Sequence, residues 1–250
     1  MKISVAATPE AFVSEAASRI VNAICAKPAS VIGLSTGRTT GNIHREVCAM
    51  HNRTDFDVSQ LTFFGLDEVT GVDREYAGAC YTMLLTEIVA PLGISADRFL
   101  MLPTRSDDFA AECRRFTDEI KHRGGIDLLI LGLGENGHLG FNQPGTPLGS
   151  EASVASMDER LEERIRRETG SAPDAPLGGV TLGIADIMHA RRIVLVANGA
   201  NKRSIVHSMF HAPISPDVPA TVLRLHPDCE FLLDAEAAAD IDVESLRAKF

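Results

Sequence analysis

The 250-residue chain has no tryptophan and only two tyrosines, so it lacks the aromatic platform on which nucleic-acid-binding folds stack bases. Positive charge is also short: 24 Lys and Arg against 34 Asp and Glu leave a net charge of −10. That argues against a nucleic-acid backbone as partner, yet local amides and one or two cations could still hold a small anion. The five cysteines (Cys25, Cys48, Cys80, Cys113 and Cys229) are odd in number, scattered and without a CxxC pair. They point to reduced thiols in a cytoplasmic protein, with neither a disulfide framework nor a zinc site. No run approaches the roughly 18 apolar residues of a membrane span, and the opening MKISVAATPEAFVSEAASRI lacks the long apolar stretch of a signal peptide.

What is there reads as an α/β protein. Thr8–Pro9 looks like an N-cap followed by proline at the first helical position. Phe12, Ala16, Ile20 and Ile24 then recur at helical spacing, so a helix is expected to about Ala26. The short apolar runs SVIGL (30–34), LTFFGL (61–66), DLLILGLG (127–134) and RIVLVAN (192–198) read as buried strands, with further strands at ATVLRLH and EFLLD. Helices are expected to about Met50, at about 79–90 and 107–123, and from about Ala200. Strands apolar on both faces that alternate with helices imply a three-layer, Rossmann-like domain with a mostly parallel central sheet flanked by helices. The charged and then Ala/Pro/Gly-rich stretch at about 150–179 is a helix-plus-loop excursion and a candidate mobile lid. Residues 1–250 are otherwise read as one domain.

Ligands of open parallel sheets bind beyond the carboxyl ends of the strands, and right-handed crossovers put the following loops on one edge. Four such loops carry polar chemistry. In GLSTGRTTGN, Ser35, Thr36, Gly37 and Thr39 offer amide and hydroxyl donors at a helix start, a geometry suited to an anion, although an ordinary capped turn reads the same way. The spacing is neither a P-loop nor GxGxxG. Asp67 closes an apolar strand, where desolvation would raise its proton affinity and suit a general base; a cap or structural ion pair is the plainer alternative. Lys202, in NGANKRS, begins a helix and could hold an anion, with Arg38 as a second cation, or both could be surface side chains. The segment LGLGENGHLGFNQPG (131–145) places glycines 132, 134, 137 and 140 around His138, whose pKa is naturally near neutrality. Asn136 and Gln143 lie close enough to bond its ring or a substrate hydroxyl.

With these segments assembled, the chain resembles the glucosamine-6-phosphate deaminase/isomerase family, nearest its galactosamine-6-phosphate branch. GLSTGRTT, LTFFGLDE, DLLILGLGENGHLGFNQPG, GVTLGIADIMHARRIVLVANGANK and PATVLRLHPDCEFLLD keep the family's order over about residues 30–235. The related 6-phosphogluconolactonases share the fold but read DGHTASLFP at the histidine loop, unlike this chain. The resemblance implies a 2-amino-2-deoxyhexose 6-phosphate as substrate, a ketohexose 6-phosphate and ammonia as products, no metal or organic cofactor, and a cytoplasmic hydrolase and isomerase of amino-sugar metabolism. It implies that Asp67 moves the C2 proton to C1 and that His138 assists ring opening. It implies too that Ser35, Thr36, Gly37, Arg38, Thr39 and Lys202 hold the 6-phosphate beside Gly137. A lid arginine is also implied, with Arg160, Arg164, Arg166 and Arg167 as candidates. Neither nucleic acid nor membrane is an expected partner; association with further copies of the chain is left open. Two positions depart from the pattern: Asn136 stands where many members have Asp, and Gln143 where they usually have Glu. A non-deaminating sugar-phosphate isomerase, a lactonase and a catalytically lost phosphosugar binder are the competing readings.

Overall fold

The computed structural model describes residues 1–249. The strands are β1 (Lys2–Ala6), β2 (Val31–Leu34), β3 (Thr62–Gly65), β4 (Asp67–Thr70), β5 (Phe99–Leu100), β6 (Leu128–Gly132), β7 (Ser153–Ala155), β8 (Gly178–Thr181), β9 (Ile193–Ala197) and β10 (Cys229–Asp234). The α-helices are α1 (Pro9–Ala26), α2 (Arg38–Thr54), α3 (Cys80–Leu84), α4 (Phe109–His122), α5 (Glu159–Thr169), α6 (Ile184–Met188), α7 (Arg203–His211) and α8 (Val243–Lys249). Seven strands form a sheet of order β1-β10-β9-β6-β2-β3-β5, in which every pairing is parallel. A second, antiparallel sheet has the order β4-β8-β7.

Two apolar layers cover the large sheet. On one face Phe12, Ile20 and Ile24 of α1 and Ile43 and Val47 of α2 pack on Ile32, Leu34, Phe63 and Ile130. On the other, Phe116 and Ile120 of α4 and Val206, Met209 and Phe210 of α7 pack on Phe64, Leu129, Leu131 and Leu195. Neighbouring residues of one strand thus face opposite layers, which is why these strands are apolar throughout rather than alternating. Gly33 is required at its place, because a Cβ there would lie 2.3 Å from Phe64 and 2.4 Å from Leu129. A third cluster (Val69, Phe141, Met157 and Ile165) sits under the small sheet and fastens α5 to it.

The expected first helix forms as read: the Thr8 hydroxyl accepts the Ala11 N–H at 3.1 Å and Pro9 opens the helix. Elsewhere the structure corrects the reading. ATVLRLH is not a strand: Pro219–Leu225 is a 3-10 helix. Both sides of β10 are already taken by β1 and β9, and Pro219 cannot donate to a ladder. The segment instead braces the histidine loop, Ala220 N–H donating to Gly137 O at 3.0 Å. The helix expected at 79–90 is a short α-helix that widens into a π-turn at Leu85–Val89. α2 runs on to Thr54, and a 3-10 turn (Ala200–Lys202) precedes α7. The stretch at 150–179 contains β7 as well as α5, and β1, β4, β5 and β8 were not anticipated.

Candidate active site

Asp67 and Glu68 do not end a strand; they begin another. Leu66 N–H still donates to Leu34 O in the large sheet, while Leu66 O accepts Leu182 N–H from the small one. The chain therefore crosses between sheets at this point, and Asp67, paired with Thr181, stands at the seam. The loops after β2, β6 and β9 end on the same side. One cavity of about 990 Å³ gathers Ser35, Thr36, Gly37, Arg38 and Thr39 with Asp67, Asn136, His138 and Lys202.

The 35–39 loop is tied down by side chains that leave its amides free. Ser35 Oγ donates to Ile130 O at 2.9 Å, and Thr39 Oγ1 to Asn198 Oδ1 at 2.6 Å. Gly37, at φ 141°, caps α2 without any side-chain bond, so the amides of the first turn have no intrahelical partner. Lys202 is delivered by the turn after β9, where Asp234 accepts Gly199 N–H at 2.9 Å and Glu236 accepts Ala200 N–H at 3.2 Å. Burial, helped by the neighbouring Arg38 charge and opposed by Glu135, holds the Lys202 ammonium below its usual pKa. Two cations that repel each other beside free helix amides make a site for an anion.

Burial, with the neighbouring charge of Glu68, pushes the Asp67 carboxyl up to about 7; the Cys80 thiol opposes this, donating to Oδ1 at 3.7 Å. Cys80 Sγ also lies 3.2 Å from Thr36 Oγ1. A carboxyl titrating near neutrality can take and return a proton under physiological conditions.

The histidine loop resolves its own proton. Asn136 Oδ1 accepts the backbone N–H of His138 at 3.1 Å, which fixes which end of the amide is oxygen. His138 Nδ1, 2.7 Å from that oxygen, must then carry a hydrogen and donate it. Nε2 is left with its lone pair. The amide nitrogen of Asn136 donates in turn to Gln143 Oε1 at 3.0 Å. Burial and then the Lys202 charge lower the His138 pKa, so the ring is neutral near pH 7; Asp158, Gln143 and Glu135 pull weakly the other way. Two carboxylates thus still act on His138 although positions 136 and 143 are amides. Gly134 is needed for the approach, since a Cβ there would sit 2.4 Å from the imidazole. Gly140, at φ 58°, passes so near Asp67 that a Cβ would be 3.2 Å from Oδ2.

The expected residues do not all reach the cavity. Gln143 does not line it and lies behind Asn136 and His138. Gly137, at φ 87°, turns toward Val218 and Ile205 and has a packing role. Of the four candidate arginines at 160–167, Arg160 and Arg164 line the cavity and Arg166 and Arg167 do not; Arg166 is bonded to Glu162, Ala172 O and Ala175 O. Sequence reasoning missed Asp158, which lines the cavity and caps α5 by accepting Leu161 N–H at 3.0 Å; an Asp before ERLEER was a readable cap signal. It also passed over Asn42, which gives no signal beyond its helical position, and Glu68. Among the described residues no group of three or more His, Cys, Asp or Glu converges as a metal ligand set, and no helix is long and apolar enough to cross a membrane.

Residues 4–230 of this chain, whose parallel sheet gathers the 35–39 loop, a carboxylate and an imidazole along one edge, match the family model described as glucosamine-6-phosphate isomerases/6-phosphogluconolactonase. The chain belongs to this family, and it is an enzyme. It is 34% identical over 225 residues to a glucosamine-6-phosphate deaminase of Bacillus pumilus, covering 90% of this chain and 93% of that protein. To a deaminase of the same name from Thermoanaerobacter pseudethanolicus it is 33% identical over 247 residues, covering 99% and 98%. The solved structure of a monomeric glucosamine-6-phosphate deaminase superposes with a TM-score of 0.89 at 31% identity, covering 96% of this chain and 99% of that one. These relatives correct one expectation: they are named as deaminases, within a family described by isomerases, and give no support to placing the chain among the hydrolases.

Proposed function

We propose that the enzyme converts a 2-amino-2-deoxyhexose 6-phosphate, glucosamine 6-phosphate in the first instance, into a ketohexose 6-phosphate and ammonia. The observation that carries this reading is the single cavity shared by the 35–39 loop, Asp67, His138 and Lys202. The relatives' names supply the substrate class.

In this reading the 6-phosphate lies on the backbone amides of the 35–39 loop and the first turn of α2, between Arg38 and Lys202, with the Ser35 and Thr39 hydroxyls holding the loop in place. Its charge relieves the repulsion between those cations. His138 Nε2 takes the proton of the anomeric hydroxyl and returns it to the ring oxygen, opening the pyranose to the aldehyde. The neutral ring held by Asn136 is the form able to begin that exchange. Asp67 then removes the C2 proton and delivers it to C1, while a proton passes from the amino nitrogen to O1, leaving a C1 hydroxymethyl group and a C2 imine. Water adds to the imine carbon, ammonia leaves, and the C2 ketone remains. Residues 150–179 act as a lid on a single α/β domain, with Arg160 and Arg164 closing over the substrate. Phosphorylated sugars are retained inside cells, which fits action in the cytoplasm.

The deciding experiment incubates the purified chain separately with glucosamine 6-phosphate, galactosamine 6-phosphate and 6-phosphogluconolactone. Ammonia is assayed in the first two, acid release in the third. Ammonia from glucosamine 6-phosphate is expected, and the galactosamine arm reads the C4 preference. Lactone hydrolysis without ammonia from either amino sugar would overturn the proposal, as would thermal stabilisation by the sugars with no turnover.

A further inference from the structure

Glu68 has no part in the steps above, yet it is the most completely enclosed carboxylate near them. It is 0% exposed, and its oxygens are fully engaged as acceptors. Oε1 accepts Val69 N–H at 2.7 Å and Cys80 N–H at 2.8 Å, and Oε2 accepts Tyr81 N–H at 2.7 Å. Cys80 and Tyr81 are the first two residues of α3, whose N-cap position, Ala79, has no side chain able to cap it. Glu68 therefore caps α3 from a different strand and locks β4 to the helix that carries Cys80. Burial raises the Glu68 pKa above the usual glutamate value; the three amide donors and the charge of Arg74 act against that rise and favour the ionised form.

We infer that Glu68 is a positioning residue for Asp67, acting through the negative charge it holds next to that carboxylate and through the clamp that brings the Cys80 thiol onto Asp67 Oδ1. This rests on the reading of Asp67 as the base. The clamp matters because Cys80 is the hydrogen-bond donor to Asp67 and also touches Thr36 of the anion loop, so one buried carboxylate sets the distance between base and cradle. The charge matters because a like neighbour disfavours the ionised base. The other titratable and charged groups around Asp67 are Cys80 from α3, at 3.7 Å, and, lining the shared cavity, His138, Lys202, Arg38, Glu135, Asp158, Arg160 and Arg164.

Glu68→Gln removes the charge and turns an amide nitrogen toward one backbone donor; Glu68→Asp keeps the charge and shortens the reach. With glucosamine 6-phosphate, the acidic midpoint of the kcat/KM profile should move about one pH unit lower in Glu68→Gln, while Glu68→Asp should lose turnover with its midpoint near that of the wild type. A merely structural glutamate would lower Tm in both variants and move neither midpoint, and that result would overturn the inference. Carboxyl 13C titration of the wild-type protein, with Asp67 assigned through Asp67→Asn, needs neither substrate nor a folded Glu68 variant. Glu68 should ionise at lower pH than Asp67; the reverse order would overturn the inference, and if no sugar is turned over this titration still decides it.

Discussion

If Asp67 is the base, activity must follow its ionisation, and the structure fixes where that occurs. An aspartate at its usual 3.8 would be fully ionised throughout the neutral range, whereas Asp67 is pushed up to about 7 by burial and by Glu68. At that value the carboxylate fraction is about 0.9 at pH 8 and about 0.24 at pH 6.5, so kcat/KM should fall about fourfold between them. The window is chosen to lie above the other acid limbs: His138 is depressed below 6.5, and a sugar phosphate takes up its second proton near pH 6. An unperturbed aspartate would give a change of only about 0.2 per cent over this range. Stability must answer in the opposite sense. Because the folded pKa is raised, the neutral form is favoured in the fold, and stability is lost as pH rises from about 4 through about 7. Asp67→Asn should therefore abolish turnover, still bind the sugar phosphate, and raise Tm at pH 8 while leaving it unchanged near pH 3.5. Three pH units correspond in full to about 4 kcal/mol. Asp67 faces an open cavity, so about 2 kcal/mol is the reasonable expectation, or roughly 4–8 °C in a chain of this size. A kcat/KM profile flat from pH 6.5 to 8, or an Asp67→Asn protein no more stable at pH 8 than the wild type, would refute this account of the base.

Gln143→Glu should place a charge one hydrogen bond from Asn136, raise the His138 pKa and increase turnover several-fold; no change at saturating substrate would mean ring opening does not limit the rate. Arg164→Ala should raise KM by roughly tenfold, the size of one lost charge-assisted bond, with Tm unaffected. Arg166→Ala, which loses contacts within its own segment, should do the reverse, and equal effects on KM would remove the distinction between the two arginines. At the far end of the sheet, Glu230 is held down to about 2 by Arg19, Lys2 and Ser4 despite its burial, with Arg192 also bridging it at 3.0 Å. A depressed carboxylate stabilises above its unfolded value and loses that contribution as pH falls from about 4.5 toward 2. Glu230→Gln should thus lower Tm at pH 7 and nearly match the wild type by pH 2, as followed by circular dichroism.

The sequence by itself determined the layered architecture, because that information is local. Thr8–Pro9 with apolar residues every three or four positions can form only one kind of element, and runs such as DLLILG are apolar on both faces only where helices cover both sides. It also determined which loops meet at one cavity, since Asp67, His138 and Lys202 each follow an apolar strand and parallel crossovers bring such loops to one edge. Tertiary structure decided the rest. Whether ATVLRLH extends a sheet depended on β10 already having two neighbours. That DE opens a second sheet depended on partners from β8, more than a hundred residues away. The state of the site depended on packing as well: Cys80 lies 3.7 Å from Asp67 while Glu68 caps α3, and Asp67 is made basic by burial; the histidine tautomer was a local matter, set by Asn136 two residues away. Desolvation and hydrogen-bond geometry belong to the packed molecule, and no spacing along the chain encodes them.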